Sequence, residues 1–390
     1  MSRMNSIEKR SALAIAFMIA LRMYGLFLIL PVFAIMGQEI NGSTPVLLGV
    51  AVGVYGLTQA ILQIPMGFLS DVWGRKKVIT LGLTLFLTGS VIAALASSIE
   101  MIILGRLIQG MGAIASTGLA LIADVSRPEQ RGKMMGIVGS SIGLSFMLAF
   151  ITGPILANLF GLSGLFWITA LLAALALVVL WAFVNEPAKR TRRDYQWSEL
   201  LFCIKQKQLV FMDLGIFVLH ASMTALFLVL PVMLADQFGM PIETHWKVYL
   251  PVLLASLLIM VPMIILQEKF KKHHAFMLTS FLLLGLNFLL FTLGISSLLL
   301  LALLLVVYFG LFNFLEAAMP ALLSKTASEQ YRGAAMGVFS SAEFLGAFMG
   351  GIGAGWLLSR SMEEVFYALA VLLASMALAG LMILRGRSRG

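Results

Sequence analysis

Apolar residues follow one another along this chain for about twenty positions at a time, and short polar stretches separate the runs. Twelve segments can be drawn, over roughly residues 11–36, 45–70, 78–97, 100–123, 134–157, 164–184, 209–234, 246–267, 274–293, 297–323, 333–358 and 364–384. About twenty apolar residues are enough to cross a bilayer as a helix, and longer runs cross with tilt. The runs are continuous rather than alternating, which argues against membrane-spanning strands. The pattern predicts an all-α polytopic membrane protein with twelve transmembrane helices.

The longest polar interruption, residues 185–208, divides the segments six and six. It gives an N-terminal bundle over 1–184, a linker over 185–208 and a C-terminal bundle over 209–390. The linker carries Lys189-Arg190-Thr191-Arg192-Arg193, which suits either anionic lipid headgroups or an orientation signal on a solvated stretch. Trp197 marks a short segment that could lie on the membrane surface. The halves repeat one another. Phe27-Leu28-Ile29-Leu30-Pro31-Val32 returns as Phe227-Leu228-Val229-Leu230-Pro231-Val232. Glu129-Gln130-Arg131-Gly132-Lys133-Met134-Met135-Gly136 returns as Gln330-Tyr331-Arg332-Gly333-Ala334-Ala335-Met336-Gly337. Parallel six-segment repeats imply two pseudo-symmetric six-helix bundles about an axis along the membrane normal, with a midplane site between them.

Composition agrees. Of 390 residues, 60% are hydrophobic and 12% charged, whereas soluble domains are nearer half apolar and about a quarter charged. A net charge of +9 raises the question of nucleic acid, but its distribution answers against it. Arg22 and Arg106 lie inside segments, and only Lys247 and Arg360 fall in the odd-numbered connections. The remaining Lys and Arg lie at the chain ends and in the even-numbered connections. That bias predicts both termini in the cytoplasm. Cys203 is the only cysteine, so no intrachain disulfide or cysteine metal cluster is possible. Residues 1–10 form a short basic lead, and the first apolar run is too long for a cleaved signal.

One polar hairpin stands out. Gly67-Phe68-Leu69-Ser70-Asp71-Val72-Trp73-Gly74-Arg75-Lys76-Lys77 joins the second and third segments. Gly74 suits a turn needing positive φ, and Gly67 lets another helix approach closely. This G-x-x-x-D-x-x-G-R-K-K pattern resembles motif A of the major facilitator superfamily, with every defining position filled. A degraded partner, Gln267-Glu268-Lys269-Phe270-Lys271-Lys272, stands in the second half, with Pro65 matched by Pro262. Within the superfamily the chain looks most like the twelve-helix drug:proton antiporters. Leu104-Gly105-Arg106-Leu107-Ile108-Gln109-Gly110-Met111-Gly112-Ala113 is similar to motif B, where the family places an intramembrane arginine tied to proton coupling. Motif C is partial: Gly153-Pro154 stands, but the expected Gly-Gly reads Ala157-Asn158, which leaves the direction of transport open.

An ionisable side chain near the bilayer centre costs at least about 2.5–3.5 kcal/mol on insertion scales, so each needs a reason. Arg106, Glu316, Glu343 and His220 are the candidates for proton coupling. Burial penalises a carboxylate's charged form, so Glu316 suits a loaded and released proton as well as it suits a fixed structural ion pair. Glu343 is either a second proton site or a polar contact between helices. His220 is either a relay or a packing histidine. Arg22 needs a partner from another helix or from the substrate. The resemblance implies a cavity lined by the first, fourth, seventh and tenth segments, which nominates Arg22, Tyr24, Met223, Asn313 and Phe314. It also makes Gly67, Asp71, Gly74, Arg75 and Lys76, with Asp124, a conformational latch. Asp124 could pair with Arg75 or Arg131, and Asp71 could face the start of the eleventh helix near Gly333.

No two acids share a turn inside a segment, as an Mg²⁺-dependent intramembrane transferase would need. There is also no G-x-x-x-x-G-K-[ST] loop. The expectation is a secondary transporter with alternating access, which the resemblance makes a proton-coupled exporter of small amphipathic compounds. The alternative is an uncoupled facilitator or lipid flippase of the same fold, with an intramembrane enzyme behind both. The resemblance implies a monomer in the bacterial cell inner membrane, handling a small-molecule substrate and protons. No cofactor, metal or nucleic acid is expected.

Overall fold

The computed structural model describes residues 6–184, 197–328 and 330–385. Among them the chain is helical almost throughout and has no strand. The basic run 189–193 lies outside the described residues. Fourteen α-helices follow in order: α1 (Ser6–Phe27), α2 (Leu30–Met36), α3 (Pro45–Trp73), α4 (Arg75–Ala94), α5 (Ile99–Met111), α6 (Ala115–Val125), α7 (Pro128–Phe183), α8 (Trp197–Lys205), α9 (Lys207–Asp236), α10 (Trp246–Phe270), α11 (His273–Phe291), α12 (Leu298–Thr326), α13 (Arg332–Leu358) and α14 (Met362–Arg385).

Eleven candidate spans among the described residues are long and apolar enough to cross a bilayer. One of them holds two of the expected segments. α7 turns at Gly161, whose φ of 66° and ψ of −179° interrupt the helix between the fifth and sixth crossings. Two expected single helices are instead broken. The first is interrupted at Leu28-Ile29, because Pro31 has no N–H for the Phe27 carbonyl. The fourth is interrupted over 112–114, between α5 and α6. Large apolar side chains face outward along the helices: Leu258 is 78% exposed and Met382 72%. In water such a surface would be an aggregation patch; in lipid it is the solvated face.

The chain forms two compact units. Unit 1 comprises residues 1–195 with 241–246, and unit 2 comprises 196–240 with 247–390. In unit 1, α1 lies along α7, while α4 packs on α5 and α7, and α3 on α5. Ser141 and Ser145 of α7 donate to the Ala16 and Ala20 carbonyls of α1, at 3.2 and 3.0 Å. In unit 2, α9 lies along α13, and α11 packs on α12 and α14. Each partnership in unit 2 therefore repeats one in unit 1. The α9–α13 seam is close because Gly346 and Gly350 meet the backbone of Phe217 and Ala221, leaving no room for a Cβ.

The short helix α8 fills part of the expected linker. Cys203 is buried there, and burial pushes its thiol pKa up. Phe202 packs on the Tyr331 ring, with centroids 4.5 Å apart.

Candidate functional site

The motif hairpin is a charge cluster built on one turn. α3 ends at Trp73, and Gly74 takes φ 105°, a backbone conformation that side-chain-bearing residues rarely adopt. The turn brings Arg75, the first residue of α4, back over the last turn of α3. Its guanidinium bonds Asp71 Oδ1, Ser70 Oγ at 2.6 Å and Asp124 Oδ2 at 2.9 Å. Ser70 in turn donates to the Gly67 carbonyl at 2.6 Å. A Cβ on Gly67 would come within 3.2 Å of Ser116 Oγ on α6, so the predicted close approach is present. Of the two partners offered for Asp124, the described one is Arg75. Lys76 caps the end of α7 through the Val184 carbonyl at 2.8 Å and sits 4.5 Å above the Trp181 ring.

The degraded counterpart builds a weaker version. Aligning Pro65 with Pro262 sets Lys271 opposite Gly74, and Lys271 also has positive φ, at 54°. Glu268 stands opposite Asp71 and pairs with Lys325 at 3.2 Å, but both side chains are more than half exposed.

Inside unit 1, a polar core surrounds two arginines. Arg22 is 3% exposed. It donates to Tyr55 Oη at 2.8 Å, Gln59 Oε1 at 3.3 Å and the Gly112 carbonyl at 2.9 Å. That carbonyl is available because the helix breaks there, between α5 and α6. Arg106 is equally buried. It bonds the Ala51 and Val52 carbonyls of α3 at 3.3 Å and Gln109 Oε1 at 3.0 Å, and lies 5.0 Å from the Tyr55 ring. Gln109 then donates to Ser90 Oγ at 2.7 Å. Arg106 is thus a buried arginine and not one that reaches for the membrane surface. Arg22 finds its partners on other helices of its own unit. The expectation that it lines an open cavity is corrected, since its guanidinium is enclosed by α3, α4 and the helix break.

Inside unit 2, three residues read separately from the sequence come together. His220 of α9 places Nε2 3.0 Å from Glu316 Oε2 of α12 and 3.8 Å from Glu343 Oε1 of α13. The Phe312 ring stands 5.7 Å from the imidazole. The His220 side chain is 11% exposed, that of Glu343 23% and that of Glu316 41%, so access rises from the imidazole outward. Nearby, Ser222 and Tyr308 hydroxyls meet at 3.0 Å, and Asn313 donates to Ser256 Oγ at 3.3 Å. Tyr24 and Thr152 hydroxyls meet at 2.6 Å in unit 1. Met223 is buried and Asn313 half-buried. Phe314 is fully buried, in ring contact with Phe276 of α11, so it fills the core instead of lining a cavity. Asn313 and Glu316, three residues apart on α12, share one face of the helix, and Phe314 points about a third of a turn away from it.

Sequence reasoning missed the acceptors of the buried arginines: Tyr55, Gln59 and Gln109, with the Gly112 carbonyl. A signal was present. Tyr55, Thr58, Gln59 and Gln63 form the polar stripe of the second segment, and an arginine without an acid needs such acceptors.

The family model described as Major Facilitator Superfamily matches residues 15–266 and 212–390. The inner membrane transport protein YajR of Escherichia coli (strain K12) is 38% identical over 359 residues, 91% of this chain and 79% of YajR. An uncharacterised transporter of Buchnera aphidicola subsp. Acyrthosiphon pisum (strain APS) is 35% identical over 359 residues, 89% of this chain and 90% of its own. Among solved structures, a bacterial homologue of the human lysosomal transporter Spinster, inward-facing and occupied, aligns with a TM-score of 0.78 at 16% identity, covering 98% of each chain. The human organic anion transporter MFSD10 aligns with a TM-score of 0.71 at 20% identity, covering 96% of this chain and 99% of that one. These two likenesses carry the fold. The relatives and neighbours are transporters, not enzymes.

Proposed function

The chain belongs to the major facilitator superfamily of membrane transporters, and from that premise we propose that it is a proton-coupled exporter of small amphipathic compounds, working by alternating access. The observation that carries the reading is the meeting of His220, Glu316 and Glu343 from three helices of unit 2. Ionisable groups cluster in a membrane interior at a cost, and proton relays are a recurrent reason for keeping them there. In this reading Glu316, the most accessible of the three, loads the proton, and His220 and Glu343 share it. In unit 1, Arg106 has the supporting role of tying α5 to α3 through the Ala51 and Val52 carbonyls. A substrate that shifts the balance of states must bind them unequally. Tyr24, Met223 and Asn313 remain the side chains proposed to meet it, and a methionine surface adapts to varied ligands. The likeness to YajR supports an inner membrane as its location, and the charge bias supports an orientation with both termini cytoplasmic. It would act as a monomer.

The test is substrate-evoked proton movement in proteoliposomes under an imposed pH gradient, read by an internal pH dye. The compounds are a panel of amphipathic cations, neutral drugs and sugars, given to wild type and Glu316→Gln in parallel. Flux evoked in the wild type and lost in the variant is the expected result. Substrate movement without proton flux, equal in both proteins, would make the chain a facilitator and Glu316 a structural acid.

Motif A is proposed to control the conformational step. Asp71→Asn is expected to lower transport several-fold at unchanged expression, because the hairpin loses one of the two carboxylates held by Arg75. Transport equal to wild type would remove Asp71 from the mechanism.

A further inference from the structure

We infer that His220, Glu316 and Glu343 form a binding site for a divalent first-row transition-metal cation, one that the spacing of these residues along the chain hides. Each residue offers one ligand atom, and the three atoms all lie within 4.8 Å of one another. A metal held at about 2.0–2.2 Å from nitrogen and oxygen ligands sets those ligands about 3–3.5 Å apart. The imidazole nitrogen lies 3.0 Å from one carboxylate, at the lower end of that span, and 3.8 Å from the other, just beyond its upper end. A small rotation of the Glu343 side chain closes the difference.

Charge points the same way. Two carboxylates face one imidazole, and among the described residues no lysine or arginine is bonded to any of the three. A doubly charged cation brings two carboxylates and a neutral imidazole to zero net charge, which is the state that a poorly solvated interior favours. The ligand set selects the ion. One imidazole with two carboxylates suits zinc, cobalt or manganese, and Mg²⁺ gives up its water reluctantly. Glu316, with 41% of its side chain exposed, supplies the route of entry, and water would complete the coordination. The inference rests on the same reading of this cluster as the ion site of unit 2, and it adds the class of ion.

Binding is measured on the full chain in detergent at one fixed neutral pH, with Zn²⁺ by calorimetry and Co²⁺ by its visible absorption. Mg²⁺ is the control. The expected result is one saturable equivalent of Zn²⁺ or Co²⁺ per chain and none of Mg²⁺. The affinity should fall at least about tenfold in His220→Asn, Glu316→Gln and Glu343→Gln separately, and stay unchanged in the double variant His273→Gln/His274→Gln. X-ray absorption at the zinc edge of the wild type should count one imidazole and no sulfur, a readout that needs no variant to fold. Absence of saturable binding overturns the inference. So does binding that survives all three single variants, follows His273 and His274, or shows several imidazoles. These readouts involve no transport, so a failure of proton coupling in vesicles and a failure of metal binding are separate results.

Discussion

Arg75→Ala is expected to cost about 3–5 kcal/mol of stability, the range for removing one partner of a buried charge group. Arg75 sits between Asp71 and Asp124, and the three side chains are only 7–12% exposed. Without the guanidinium, two carboxylates stay behind in a place that water hardly reaches. Removing both charges together costs less than removing one, so Asp124→Asn added to Arg75→Ala should recover part of the loss. Thermal unfolding in detergent of the two single variants, the double variant and wild type gives the coupling directly. The second-half counterpart supplies the contrast. Glu268 and Lys325 are more than half exposed, and exposed pairs contribute about 0.2–1 kcal/mol. Lys325→Ala should therefore leave the unfolding midpoint nearly unchanged. Equal losses at Arg75 and Lys325 would mean that burial does not distinguish the two hairpins.

The two hairpins also show what the sequence makes legible. Motif A could be read because its chemistry is local: Gly74 must supply the positive φ, and Arg75 follows Asp71 by four residues. The twelve crossings were legible for a similar reason, since a continuous apolar run can only be a buried or lipid-facing helix. Two features were not legible. The break at Gly112 lies in a run that reads as one helix, and the carbonyl it frees meets Arg22, ninety residues earlier in the chain. Likewise, His220, Glu316 and Glu343 were each visible as costly residues in apolar helices, but nothing local says that they meet. Their meeting depends on how closely α9, α12 and α13 approach. Phe314 is buried because it lies off the face that Asn313 and Glu316 share, and its own neighbours in sequence, all large and apolar apart from Asn313, do not mark which of them fills the core.

That close approach can itself be tested. Gly350→Val is expected to cost about 1–3 kcal/mol and to abolish proton-linked flux. A Cβ at Gly350 would fall on the backbone of Ala221, the residue after His220. Backbone cannot swing aside as a flexible side chain can, so α13 must move away from α9. Glu343 lies two turns before Gly350 on the same helix, and its 3.8 Å approach to His220 would widen with that movement. The variant therefore separates the cluster without changing any ionisable residue. Gly353→Val is the control, because a Cβ there meets nothing within 4 Å. It sits on the same helix, one turn away, and carries the same loss of backbone freedom. Unfolding midpoints and vesicle flux for both variants decide the matter. A loss of flux at Gly350 with wild-type behaviour at Gly353 ties transport to the α9–α13 seam. Equal flux in both would mean that the spacing of His220 and Glu343 does not matter to the proton, and the proposed sharing between them would fall.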